Sequence, residues 1–280
     1  MNRALLIGLL FFFSGLTSLV YQTLWVRVIS LGVGSTSTSL SIVLSIFFAG
    51  LSIGSWLAGR FVGRVKRPIL AYGVIEGAIG VYSLALLPVL FEFQTILSWL
   101  PMTGSLSWLG TLLKFVIVLL LIVVPTTLMG ASLPILIRIF VSSSEGLGKK
   151  ISLLYSVNTL GAVAGAFLSG FVLVPELGIV NANNLSALLN VAILAAAYLI
   201  QKGSAPLSPQ GRYAAASANG ASQSRFQKML PLVAATTGFS ALAAEVIWNK
   251  YLGIFLGSNI FGLSLILSLF LFGIALGSFL

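Results

Sequence analysis

Long apolar stretches alternate along the chain with short polar or basic breaks. The stretches are Ala4 to about Trp25, about Thr36 to Leu57, Pro68 to about Leu90, and about Lys114 to Arg138. They continue with Ile151 to Leu173, about Ile179 to Ile200, Met229 to Leu252 and Ser258 to Leu280. At about 1.5 Å per residue each can cross a bilayer as a helix. The pattern predicts an all-α polytopic membrane protein with about eight transmembrane helices. A signal peptide fits the first stretch poorly, because it is long and has no small-x-small cleavage site.

Local breakers refine this picture. Pro68 suits the first turn of a helix. Pro125 and Pro134 each remove a backbone bond, so a kink or break is expected between them. Residues 91–110 read equally as an interfacial helix or an outer loop, with Trp99 and Trp108 suited to the headgroup belt. Gly161, Gly165, Ser169 and Gly170 would let two helices approach closely. Pro175 to Gly178 reads as a turn. Residues 201–228 are rich in Ala, Ser, Gly, Gln and Pro without apolar period, and read as a flexible cytoplasmic linker. The division is therefore 1–200, a first six-helix bundle; 201–228, the linker; and 229–280, two helices of a second bundle.

One segment occurs twice. Gly15 to Leu57 aligns without a gap on Gly238 to Leu280, at a constant offset of 223, with about a third of the positions identical. Trp25 falls on Trp248, Gly34-Ser35 on Gly257-Ser258, Gly50 on Gly273, and Gly54-Ser55 on Gly277-Ser278. Agreement at Gly, Trp and Ser across a polar break marks an internal repeat. The first copy runs on into Gly59-Arg60, whereas the second ends at Leu280, so the second bundle is expected to be truncated here.

Charge orients the helices. With a cytoplasmic N-terminus, 12 of the 15 basic residues fall on the inner side, and only Arg27, Lys114 and Lys250 fall outside. The net charge of +10 is thus loop charge rather than a nucleic-acid footprint. Six spans separate the two copies, which gives both the same orientation. Parallel six-helix halves joined by a cytoplasmic linker are the plan of the major facilitator superfamily. Gly59-Arg60-Phe61-Val62-Gly63-Arg64 resembles that superfamily's basic loop, with Gly59 where an Asp is expected.

Composition excludes most enzymes. The chain is 58% hydrophobic and has no Cys and no His; its five acids are all Glu, at positions 76, 92, 145, 176 and 245. No zinc site, catalytic triad or Cys nucleophile can be assembled, no phosphate-binding Gly loop is visible, and no cofactor or metal is expected.

Several motifs in order resemble the membrane regions of fused major facilitator/spermidine synthase proteins of bacteria. They are Ser14-Gly15 with Tyr21-Gln22-x-x-Trp25-x-Arg27, then Gly34-Ser35-Thr36, then Ala49-Gly50-Leu51-x-x-Gly54-Ser55. Pro125-Thr126-x-x-Met129-Gly130-Ala131-x-x-Pro134, Tyr155-x-x-Asn158-Thr159-x-Gly161-Ala162-x-x-Gly165 and Pro175-x-x-Gly178 complete the set. Gln22 stands where the pattern has Glu; the second copy keeps it, as Glu245. The resemblance implies a spermidine synthase-like (aminopropyltransferase-like) fusion protein in the bacterial inner membrane, N-terminus cytoplasmic, with a fused or associated cytoplasmic enzyme domain. The catalytic machinery would lie outside residues 1–280. The alternative is a secondary transporter for a small cationic or polyamine-like solute.

Polar residues inside the spans are the candidate site. A charge at the bilayer centre costs on the order of 3 kcal/mol, so it needs a reason. Glu76 is the deepest acid, read either as a coupling group or as a structural hydrogen-bond acceptor. Glu245 could face a central cavity opposite Gln22. Glu76 and Glu245 together would suit a cationic amine. Asn158, beside Gly161, is most simply interhelical glue. Trp25 and Trp248 read as interface anchors, and Arg27 and Lys250 as snorkelling cations.

Overall fold

The computed structural model describes residues 3–33, 36–99, 107–139, 147–202, 225–256 and 260–279. Among them the chain is helical apart from short connections such as 65–67, and it forms no strand. The α-helices are α1 (Arg3–Val33), α2 (Thr36–Phe61), α3 (Pro68–Trp99), α4 (Ser107–Ile137), α5 (Leu147–Leu168), α6 (Gly178–Lys202), α7 (Arg225–Leu256) and α8 (Ile260–Phe279). A 3-10 turn, Val62–Arg64, leads out of α2, and a π-helical segment, Ser169–Leu177, follows α5. Seven helical runs are long and apolar enough to cross a membrane. One of them, Gly148–Lys202, holds 55 residues. At about 1.5 Å per residue that is far more than one bilayer crossing requires. It divides at Gly178, whose φ of 77° lies in the left-handed region that favours glycine.

Several expectations need correcting. The third helix does not stop near Leu90 but runs to Trp99, so most of 91–99 is a continuation of α3 rather than a separate interfacial helix or loop. Pro175 lies inside the π-helical segment and not in a free turn. Helix α4 passes through Pro125 and Pro134 without a break. The central part of the expected linker, 203–224, the Gly34-Ser35 and Gly257-Ser258 pairs and residues 100–106 and 140–146 lie outside the described residues.

The reason α4 survives its two prolines is visible in its neighbours. A proline at position i leaves the carbonyl of i−4 without its helical donor. Pro125 frees Leu121, and the Tyr82 hydroxyl of α3 donates to that carbonyl at 2.9 Å. Pro134 frees Gly130, and the Ser55 hydroxyl of α2 donates to that carbonyl at 2.8 Å. Where no water is available, such side-chain donors are what permit proline in a helix interior.

Glycines set the helix pairings by removing the side chain at the point of crossing. Gly50 and Gly54 of α2 face Thr126, Thr127 and Ala131 of α4, while Gly130 of α4 faces Leu51. Gly161 and Gly165 of α5 rest on the backbone of Phe12 and Leu16 of α1. Gly73, Gly77 and Gly80 of α3 meet Ala197, Leu194 and Ala187 of α6. A Cβ at these positions would overlap the partner helix, so the crossings depend on glycine. The rungs also give direction. Numbers rise together between α2 and α4, and between α1 and α5, but run oppositely between α3 and α6. Tyr72 donates to the Leu10 carbonyl at 3.0 Å and Ser14 to Glu76 at 2.7 Å, so α1 and α3 are parallel. Ser152 and Ser156 at the start of α5 bond Ser278 at the end of α8, and Gly170, just beyond α5, meets Ser264; α8 is therefore antiparallel to α5.

Helix α1 is the centre of the packing, touching α2, α3, α5, α6 and α8. Its inner face, Tyr21, Leu24, Trp25 and Val28, is fully buried. Trp25 is thus not an interface anchor. It stacks on Tyr21, with centroids 5.9 Å apart and planes 12° apart, inside the main core. Trp99, Trp108 and Trp248 are exposed. Lys114 has its partner on another helix. It lies inside α4, buried, and its Nζ donates to the Gly32 carbonyl at 3.3 Å. That carbonyl belongs to the last turn of α1, where helical partners run out and a cation opposes the helix dipole.

Candidate functional site

Helix α7 differs from the other helices in its packing. It touches α8 and α2, and nearly all of its described residues are exposed or half-exposed. Among the described residues of α7 only Glu245 is buried, at 3% exposure. A helix that is otherwise apolar on most faces thus turns its single carboxylate inward. The Glu245 Oε1 has no hydrogen-bond partner among the described residues. Burying a carboxylate without a partner is costly enough that such groups normally neutralise, pair or meet a ligand.

Glu245 faces a cavity of about 340 Å³ between α1, α2, α5, α7 and α8. Gln22 of α1, Asn158, Thr159 and Tyr155 of α5, and Glu245 supply its polar lining; Leu19, Phe47, Phe48, Leu51 and Phe270 are among its apolar walls. A mostly apolar chamber of this size with a few convergent polar groups is the usual form of a small-molecule site. One carboxylate, no opposing cation in the lining, and amide groups on the far wall suit a small organic cation that carries hydrogen-bond donors. Helix α1 presents Gln22 here because Gly15 lets it approach the Asn158 backbone of α5.

Three of the four residues singled out from sequence, Gln22, Asn158 and Glu245, therefore share one cavity. Glu76 does not line it. Glu76 is buried on α3, where its Oε1 accepts from Ser14 of α1 at 2.7 Å and from Ser132 of α4 at 3.2 Å. One oxygen thus ties three helices together. The pairing of Glu76 with Glu245 around one ligand finds no counterpart in this lining. Tyr155 and Thr159, which the sequence offers only as motif residues, and the aromatic pair Phe47-Phe48 join the lining. Tyr155 and Thr159 flank Asn158 at i−3 and i+1, and that neighbourhood was the available signal. Among the described residues no group of His, Cys, Asp or Glu could hold a metal ion.

No protein-family model matches the chain, and no solved structure matches it. Among curated proteins it is similar to the polyamine aminopropyltransferase of Leptospira interrogans serogroup Icterohaemorrhagiae serovar copenhageni (strain Fiocruz L1-130). The two are 25% identical over 193 residues, covering 69% of this chain and 35% of that protein. The aligned part is therefore about a third of that relative's length.

Proposed function

We propose that this chain is the membrane module of a polyamine aminopropyltransferase-like protein, and that the Glu245 cavity holds a cationic amine for it. The observation that carries the reading is the similarity to a polyamine aminopropyltransferase over apolar helices that contain no Asp, His or Cys. Chemistry on polyamines would then belong to another part of the full-length protein, associated with the cytoplasmic side. Alkyl amines are protonated at neutral pH, as Lys is. A chamber with one carboxylate whose buried Oε1 has no partner among the described residues, amides from Gln22 and Asn158, and apolar walls complements such a molecule.

The reading places α1 to α8 in a bacterial inner membrane with a cytoplasmic N-terminus and the basic residues of 60–67 on the inner face. It also takes residues 15–57 and 238–280 as parallel repeats of a major facilitator-like, six-plus-six plan. Consistent with this, α2 is joined to α1 by a two-residue link and α8 runs antiparallel to α5, which is parallel to α1. Gly273 and Gly277 have open space before them, whereas their counterparts Gly50 and Gly54 seat α4.

A second reading, a secondary transporter for the same class of solute, is favoured by the position of the cavity among helices of both repeat copies. Two assays on the full-length protein separate the two. Membrane vesicles are supplied with a radiolabelled diamine and an aminopropyl donor, and both transfer product and uptake are measured. Aminopropyl transfer that depends on the membrane helices supports the first reading. Uptake without transfer supports the second. A downstream reading frame that adds only further membrane helices would eliminate the fused enzyme.

A further inference from the structure

A second cavity, of about 170 Å³, lies where α3 begins and α6 ends, lined by Arg67, Leu70, Tyr198, Gln201 and Lys202. Its chemistry is opposite to that of the Glu245 chamber. Two cations face it and no acid lines it. Two of the neighbouring cations, Arg60 and Arg64, are engaged elsewhere. Arg60 lies 3.7 Å over the Trp56 ring and Arg64 5.6 Å from the Phe61 ring centroid.

Three further features point to an anion with hydrogen-bonding substituents. Helix α3 begins at Pro68, so its first-turn N–H groups are directed toward this end, and no acidic residue occupies that turn. Gln201 is buried at 6% exposure and its Oε1 has no partner among the described residues, leaving an acceptor for a ligand hydroxyl or amine. Just inside, Val74 of α3 and Leu199 of α6 are exposed apolar side chains, 54% and 68% accessible, on the surface that would meet acyl chains.

We propose that this cavity binds a phosphate group, presented by the headgroup of an anionic phospholipid such as phosphatidylglycerol. Arg67 and Lys202 neutralise the phosphate, and Gln201 accepts from a headgroup hydroxyl. The acyl chains then descend along Val74 and Leu199. Basic pockets between helices on the cytoplasmic side are known to hold such headgroups. The inference rests on the bilayer placement proposed above and is independent of the amine reading.

The test uses the full-length protein purified in mild detergent, with retained lipid counted by native mass spectrometry. Phosphatidylglycerol should be retained in preference to phosphatidylcholine. Arg67→Gln/Lys202→Gln should lower that retention about thirtyfold, the removal of two attractive charges at about 1 kcal/mol each. Arg60→Gln/Arg64→Gln should keep it, and both variants should retain the elution volume of the parent. Displacement of the lipid by millimolar inorganic phosphate would assign the same site to a soluble phosphate. Equal retention of the two lipids, or undiminished retention in the Arg67→Gln/Lys202→Gln variant, would overturn the site. Failure of the protein to enter the membrane fraction would instead strike the bilayer placement.

Discussion

Removing the Ser55 hydroxyl should destabilise the protein only while Pro134 is present. Pro134 cannot donate to the Gly130 carbonyl, and Ser55 of α2 does so at 2.8 Å. In Ser55→Ala the carbonyl would lose its donor in a segment shielded from water. An unpaired buried polar group costs about 1–3 kcal/mol. Interhelical hydrogen bonds in membranes measure lower, roughly 0.6 kcal/mol on average with a maximum near 1.7. Ser55 is exposed on its other side, so a loss of about 1 kcal/mol is expected. In a Pro134→Ala background the restored N–H bonds Gly130, and Ser55→Ala should then cost less than about 0.5 kcal/mol. The assay is a double-mutant cycle on the purified protein in detergent, followed by unfolding with increasing SDS. Ser52→Ala is the control, because that hydroxyl bonds the Phe48 carbonyl of its own helix. Equal cost of Ser55→Ala in both backgrounds would refute the compensation. Tyr82→Phe against Pro125→Ala repeats the experiment at the Leu121 carbonyl.

Other consequences can be checked with the same unfolding measurement. Gly54→Val and Gly161→Val should each destabilise by about 1–3 kcal/mol, because the new side chain meets partner backbone, whereas Gly59→Val, facing open space, should not. In the full-length protein Gly277→Val should behave like Gly54→Val; an effect no larger than that of Gly59→Val would speak against the six-plus-six repeat. Ser14→Ala should cost about 1–3 kcal/mol by stripping a donor from the buried Glu76 carboxyl, and Ser132→Ala, at the longer 3.2 Å, should cost less. A larger effect at Ser132 would mean that the geometry around Glu76 is misassigned.

What could be read from the chain alone was whatever is local or periodic. Apolar run length located the helices, and glycine spacing on α5 anticipated a close helix crossing there, though not that α1 is the partner. The polar positions Gln22, Asn158 and Glu245 were visible because polar groups in long apolar runs are rare. Their convergence depends on how α1, α5 and α7 are rotated about their axes, which the near-uniform apolar faces do not reveal. Trp25 shows the same limit. A tryptophan near a helix end suits an interface, and only the surrounding helices decide that it is buried against Tyr21. The prolines of α4 predicted a break because their compensating donors lie on α2 and α3, 75 and 39 residues from the carbonyls they serve. Lys114 read only as a charge near the outer face, because its partner, the end of another helix, is far away in the sequence. Glu76 and Glu245 both read as intramembrane acids, yet one carries two hydroxyl donors and the other has a cavity before it.

Equilibrium binding of a radiolabelled polyamine to the full-length protein in lipid nanodiscs tests the central claim most directly. Wild type, Glu245→Gln and Glu76→Gln are compared. Saturable binding that weakens at least about tenfold in Glu245→Gln is expected, since a desolvated charge-assisted contact is worth roughly 1.5–3 kcal/mol. Glu76→Gln, which keeps an acceptor for Ser14 and Ser132 outside the cavity, should bind like wild type. Binding unchanged in Glu245→Gln, or lost only in Glu76→Gln, would contradict the assignment of the cavity.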